Sequence, residues 1–386
     1  MKAQVGSSTL TDATQAAKEA TAKIKEKLSD AKLAFVYAGI THDLKALLAS
    51  IAAELPGVPL LGNTSFTGVV TPEGYATGDA FVGILALGGD DLVVGAAGSA
   101  KGASARETGR AIAIAAQEAA GKTTPPDYFY LAASPGEEEY YLKGISEVIG
   151  RKPVFGGSAA DNAIAGEWSL YAGDTVFADG AITAFFYTDK PIANLFTGAY
   201  RETDDVGIIT KVVGDRTLME INGVPAVDLY AKWTGTDTAN LAGGNLLVAT
   251  ITSPLGVKDR LGDLIAIRHP MFANEDKSMN VGANLSEKTA VIRMEASVDE
   301  LIASASEVLI ELRDSLPFKP AAYHLVHCGG RRAGIGDRLG EVVAGIKAAA
   351  GDVPFIVEFT FGEYGYVDDG RNSTGGLMLS YTAFAE

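Results

Sequence analysis

The chain has 386 residues, 47% hydrophobic and 21% charged, which is enough apolar material for a large core. Its formal charge of −16 comes with no basic stripe, which argues against nucleic acid as the main partner. The apolar runs are too short to span a membrane, the start lacks a signal-peptide core, and a lone Cys328 excludes an internal disulfide framework, so a cytoplasmic protein is expected.

In chain order, residues 2–8 read as a strand and 11–29 as a helix, with Thr11 or Asp12 as its cap. Strand 33–38 follows, then a helix from about His42 stopped by Pro56-Gly57, then strand 58–62. Segments 79–87 and 92–97 suggest an antiparallel hairpin through Gly88-Gly89. The order then restarts with helix 103–120, strand 128–133, helix 137–149 and strands 153–156, 180–187 and 192–197, with extra residues around 167–177.

Segments 34–65 and 128–159 superpose at an ungapped offset of 94. Phe35/Phe129, Ala38/Ala132, Leu48/Leu142, Ile51/Ile145, Pro59/Pro153 and Gly62/Gly156 are identical. Such a repeat predicts a pseudo-symmetric domain. Past about 205 the pattern changes to a hairpin turning at Gly214-Asp215, a helix at 225–233, a polar loop and further strands. An amphipathic helix at 298–316 leads into strand 321–328, helix 335–350, strand 353–361 and a final strand. Pro354 takes the place of Pro59 and Pro153, hinting at a third copy. The expected fold is mixed α/β, with repeated strand–helix–strand–strand units giving twisted mixed sheets flanked by helices. Domains of 1–205 (units about 1–94 and 95–200) and 206–386 are expected.

Each candidate residue has a functional and a structural reading. The Gly-rich strand ends carrying Asn63, Thr64 and Ser158 can offer N–H and hydroxyl groups to an anion, or be tight turns. Asp161 and Asn162 suit a ligand amine or a turn cap. Cys328 needs a neighbouring base to become a nucleophile. His327 points to the opposite strand face and His324 lies roughly 13 Å away, so a pocket-lining thiol is the better reading. No Cys/His spacing suits a metal, and Glu137–Glu139 read as charges favouring a helix start. Arg331 before a helix suits an anionic group, whereas Arg332 reads as solvated or paired. Gly334, Gly336 and Gly340 do not match a dinucleotide fingerprint, and no cofactor is expected. Trp168, Trp233, Tyr364 and Tyr366 are candidate apolar walls or core rings. Glu363, Asn372 and Thr374 surround the last loop and suit a polar ligand.

The motifs C-G-G-R (328–331), V-P-F-I-V-E-F-T-F-G-E (353–363), N-S-T (372–374), S-P-L-G (253–256) and I-R-H-P (267–270) resemble the C-terminal domain of the FIST (F-box and intracellular signal transduction) family. V-P-L-L-G-N-T-S (58–65) and P-V-F-G-G-S-A-A-D-N (153–162) resemble its N-terminal domain. Arg371 stands where that family favours histidine. The resemblance implies a sensor of small polar ligands such as amino acids. With no output module left over in these residues, it would be a stand-alone sensor, with a signalling protein as its candidate partner. An enzyme using Cys328 on an amino-acid-like or acyl substrate, and a protein-interaction scaffold, are the rival classes. The sensor's pocket would join the Cys328–Arg331 turn to Glu363, with Arg331 holding an acidic group, Glu363 an amine, and Asn372 or Thr374 fixing orientation.

Overall fold

A computed structural model describes residues 1–258, 265–367 and 371–386. The repeat expected twice occurs three times. The first unit runs strand Lys2–Ser8, helix Ala13–Lys27, strand Ala31–Ala38, helix Leu44–Glu54, strand Leu60–Thr64, hairpin Gly68–Thr71/Gly74–Thr77 and strand Val82–Gly88. Asp12 caps its first helix by accepting from the Gln15 amide at 2.8 Å. The second unit repeats the order from Leu92–Ala100 to Gly180–Thr188, with the hairpin Leu170–Ala172/Thr175–Phe177. The third begins with strand Ile192–Thr197 and ends with Leu379–Ala385. Between its first strand and its helix Val298–Ser315 lies an insert built on a separate antiparallel sheet with its own core.

In each unit the four strands pair in the same order: first, last, second, third. The strands flanking the middle helix are parallel. Equivalent bonds from Ala34, Phe129 and Tyr323 N–H to the Pro59, Pro153 and Pro354 carbonyls, at 2.9, 3.0 and 2.9 Å, fix the correspondence. The third copy hinted at by Pro354 is therefore present.

Two expectations are corrected. Residues 79–87 and 92–97 do not form a hairpin: Val82–Gly88 closes the first sheet and Leu92–Ala100 is the edge of the second. Similarly, 192–197 does not end the second unit but pairs with the last strand of the chain. The offset of 94 holds for the second helix and third strand, but in strands 31–38 and 128–133 equivalent residues lie 95 apart. Phe35 therefore matches Tyr130, not Phe129. Phe35 and Tyr130 face the shared interior, while Ala34 and Phe129 face the helices of their own units. The loop after the second unit's strand is one residue shorter, and a one-residue slip exchanges strand faces.

The hairpins are exchanged cyclically. That of the first unit extends the third sheet, that of the second extends the first, and that of the third, Glu363–Val367/Arg371–Gly375, extends the second. Three equivalent bonds tie the crossings: Phe66 N–H to Phe359 C=O (2.9 Å), Ala160 N–H to Thr64 C=O (2.9 Å), and Phe361 N–H to Ser158 C=O (3.2 Å). Gly62 and Gly156 are glycine because a Cβ there would lie 1.8 and 1.9 Å from the carbonyl oxygens of Val36 and Leu131. Sheet pairing thus carries the chain back and forth across position 205, which falls where the chain has left the third unit's first strand for the insert.

The sheets turn one face inward onto a common core and the other onto helices. Phe35, Tyr130 and His324 occupy equivalent positions and meet at the centre, with ring centroids 4.8–5.7 Å apart. Around them runs a buried polar chain. The Tyr37 hydroxyl contacts His324 Nε2 and donates to Tyr130, which donates to Asn63 Oδ1 (3.1 Å), and Asn63 Nδ2 donates to Glu358 (3.0 Å). Burial pushes the Glu358 carboxyl up to about 8 and His324 down to about 3. Their 3.5 Å contact is therefore between neutral groups over most of the accessible pH range, not an ion pair.

This fixes a sign. The folded chain keeps on Glu358 a proton that the unfolded chain releases above about pH 4.5, so Glu358 costs increasing stability as pH rises toward 8. Thermal melts at several pH values should show Glu358→Gln gaining on the wild type between about pH 5 and 8. A melting-temperature difference that stays flat across that range would mean that Glu358 is not held protonated.

Candidate functional site

The strand ends of all three units converge on one side of the body, and the insert docks over them. A cavity of about 470 Å³ lies at this junction. The body supplies Phe66, Pro135, Gly136, Glu138, the loop Ile164–Trp168, Cys328–Gly330, Ala333, Phe361 and Gly376; the insert supplies Arg216, Leu247, His269, Met271 and Gly282. Phe66 and Phe361 hold the same position in the first and third units. The second has Ala160 there and instead brings Trp168 through its loop. The three rings form one wall, with Phe66–Phe361 centroids at 5.7 Å and Trp168–Phe361 at 6.3 Å, the latter edge to face.

Asp161 organises that loop. Its carboxylate, 0% exposed, accepts from the amides of Ala163, Ala165, Gly166 and Glu167 at 2.8–3.1 Å. Burial works against ionisation, but these donors outweigh it and hold the carboxyl below the usual range. Asn162 accepts from the Thr67 amide at 2.8 Å. Both residues cap turns and thereby shape the cavity wall; neither lines it.

The polar end of the cavity is an ion cluster joining body to insert. Arg216 Nη2 bridges Glu138 and Glu139, and its Nε donates to Asn284 Oδ1 at 2.9 Å. Glu139 also accepts from the Asn284 amide (2.9 Å) and Thr374 Oγ1 (3.0 Å). Burial raises the Glu138 carboxyl against the pull of Arg216, whereas Glu139, buried as well, is drawn lower by Arg216 and the Asn284 amide. Glu138 and Glu139 read in sequence as simple helix-start charges; here they clamp an arginine. Ser158 donates to Glu138 Oε1 at 3.0 Å and contacts the Tyr364 hydroxyl.

Cys328 lines the cavity. Its Sγ accepts from the Gly330 and Leu377 amides at 3.3 and 3.2 Å, and burial, reinforced by the nearby Glu363 charge, pushes the thiol far up. Glu363 lies behind it rather than in the cavity, accepting from Thr360 Oγ1 (2.9 Å) and the Met378 amide (2.8 Å), and burial pushes it up to about 8. Consecutive amides, 377 and 378, thus tie Cys328 to Glu363. His327 turns away, its Nδ1 against the Cys328 carbonyl, and burial lowers it to about 3.

The remaining expected site residues are placed elsewhere. Arg331 is 0% exposed and faces away from the cavity. Its guanidinium donates to the Gly198, Leu301 and Leu377 carbonyls and Ser304 Oγ, beside the Tyr200 ring. It anchors helix Val298–Ser315 to the end of strand Ile192–Thr197, and it does not hold an anion at the cavity. Asn63 belongs to the central polar chain. Thr64 exchanges bonds with Ser169, and Asn372 donates to the Lys152 carbonyl (2.9 Å). The Arg371 side chain lies outside the described residues. Of the polar residues contributed by the insert, His269 lies in the I-R-H-P motif, whereas Arg216 carries no local sequence signal; only docking of the insert brings either one here. Phe66 and Phe361 did carry one, as aromatics at matching strand ends of the repeat.

Among the described residues no group of three His, Cys, Asp or Glu gathers as a metal site, and no helix is long and apolar enough to cross a membrane.

Three units with exchanged hairpins and a cavity at their strand ends define a three-unit mixed α/β architecture. The chain belongs to the FIST family: the FIST N domain matches residues 32–224 and the FIST C domain residues 226–366. These domains are associated with signal transduction and small-ligand sensing. No curated protein matches the chain. Among solved structures, a cyanuric acid hydrolase is 8% identical, with 100% of this chain and 99% of that one covered and a TM-score of 0.37. PurLQS from Thermotoga maritima is 11% identical, with 100% and 72% covered and a TM-score of 0.24. Likenesses this distant assign no chemistry.

Arg331→Ala would strand three carbonyls and a hydroxyl in the core. Hydrogen bonds to a charged group contribute about 1.5–3 kcal/mol each, so the variant should melt well below the wild type without any ligand present. An unchanged melting temperature would return Arg331 to the list of ligand contacts.

Proposed function

We propose that the chain is a small-ligand sensor acting in intracellular signalling, with its ligand seated in the cavity between the three-unit body and the insert. The observation that carries this reading is a partly enclosed, mainly apolar cavity at the strand ends, lined from both parts. A ligand there would touch body and insert together, so occupancy would bias how the insert sits, as sensing requires. The cavity's apolar walls favour ligands with a substantial apolar surface over small, wholly polar amino acids.

A thermal-shift screen across amino acids, organic acids, nucleotides and aromatic heterocycles tests this. A ligand at a hundred times its Kd adds about 2.7 kcal/mol of stability. Ala333→Leu, which fills the cavity from the helix Gly329–Ile335, should abolish the shift while leaving the ligand-free melt near wild type. The reading fails if no compound shifts the melt, or if Ala333→Leu binds as the wild type does.

The rival reading, an enzyme with Cys328 as nucleophile, is disfavoured by the raised thiol and by its neighbours: His327 turns away, and the Glu363 carboxyl beside the sulfur is itself pushed up to about 8 by burial, so it is mostly protonated near neutrality. A thiol-reactive probe should label native Cys328 far more slowly at pH 7–8 than the unfolded chain. Rapid labelling of the native protein near neutrality would reinstate the enzyme.

A further inference from the structure

Two groups at the cavity are not used by the protein itself. His269 is 6% exposed and lines the cavity from the insert. Its Nε2 lies 3.0 Å from the Leu247 carbonyl, and because a carbonyl can only accept, Nε2 carries the proton. Nδ1 is therefore a lone-pair acceptor, and it has no partner among the described residues. Burial lowers the imidazole to about 4, which keeps it neutral near pH 7. The second group is Arg216 Nη1: Nε and Nη2 are taken by Asn284, Glu138 and Glu139, while Nη1 bonds to none of the described residues.

The charge here is already balanced. Glu138 and Glu139 face Arg216, and Arg268, half-buried beside them, interacts with Glu139. A ligand bringing net charge into so apolar a cavity would lose hydration without gaining an unpaired opposite charge. The wall of Phe66, Phe361 and Trp168 presents ring surface. At the mouth stands Ile164, 52% exposed and at φ +56, a strained backbone for a β-branched residue that the Asp161 bonds hold in place. An apolar residue fixed at that cost over an opening is well placed to be covered by a flat apolar ligand.

Resting on the sensor reading above, we infer that the ligand is an uncharged, planar aromatic heterocycle whose ring N–H donates to His269 Nδ1 while its ring packs against the Phe66–Phe361–Trp168 wall. Arg216 Nη1 can serve a carbonyl or other acceptor on the same ring.

Matched probes test this by calorimetry on the full chain: indole, benzofuran (the same shape without the N–H) and indole-3-carboxylate (the same ring with a charge). Indole should bind at least about tenfold more tightly than either, since one well-placed hydrogen bond is of that order. His269→Phe should remove the preference for indole over benzofuran while leaving benzofuran affinity nearly unchanged. Should His269→Phe fail to fold, the three wild-type affinities alone still decide. The inference is overturned if indole does not bind, binds no better than benzofuran or the carboxylate, or keeps its advantage in His269→Phe. If it fails while some other compound gives a melt shift lost in Ala333→Leu, the sensor reading stands with a different ligand class. If nothing shifts the melt, both fall together.

Discussion

Three backbone hydrogen bonds, from Phe66 to Phe359, Ala160 to Thr64 and Phe361 to Ser158, hold the crossings at which each unit hands its hairpin to a neighbour. Nearly everything else depends on that exchange. It sets the three sheets around one core, aims the strand ends at a single point, and leaves the third unit's long connection free to carry the insert. Because the crossing residues are also the wall residues, Phe66 and Phe361 are positioned by the fold's main joint rather than by a loose loop. The body side of the cavity is thus set by sheet pairing, and its other side is supplied by the insert.

The electrostatics follow from the same geometry. Burying Glu358, Glu363, His324 and His327 in so closed a body shifts each toward its neutral form, and all are satisfied at least in part by neutral donors and acceptors. Oppositely charged side chains are paired where body meets insert, in the cluster of Glu138, Glu139 and Arg216. There an ion pair, whose favourable geometry is specific, registers one part upon the other.

Much of the fold was legible in the chain, because its repeat is written in local features: the Pro before the third strand, the glycines under a close carbonyl, and helices with one apolar face. What was not legible is non-local. Strand faces were misassigned by one position because one unit drops a residue in a loop, and identity of Phe35 with Phe129 concealed the slip. Segments 79–87 and 92–97 look like a hairpin because adjacency in sequence is the only pairing a sequence displays, yet they belong to different sheets. The site shows the same split. Cys328 was found as a wall residue, but the arginine beside it in sequence faces the core, and the arginine at the cavity comes from 115 positions earlier on the insert. Residue type suggested an ion-binding corner; only the path of the chain decides which arginine occupies it.

The exchange of hairpins also bears on how the protein is made. Ser65, at the crossing of the first unit, accepts from the Phe359 amide 294 residues later. At synthesis rates of about 5–20 residues per second, that partner arrives on the order of 15–60 s afterwards. Until then the first hairpin has no sheet to join, although the strand Leu170–Ala172 that covers the first sheet's edge has emerged earlier. No unit can be finished alone on the ribosome. The nascent chain carries open strand edges until the third unit has emerged.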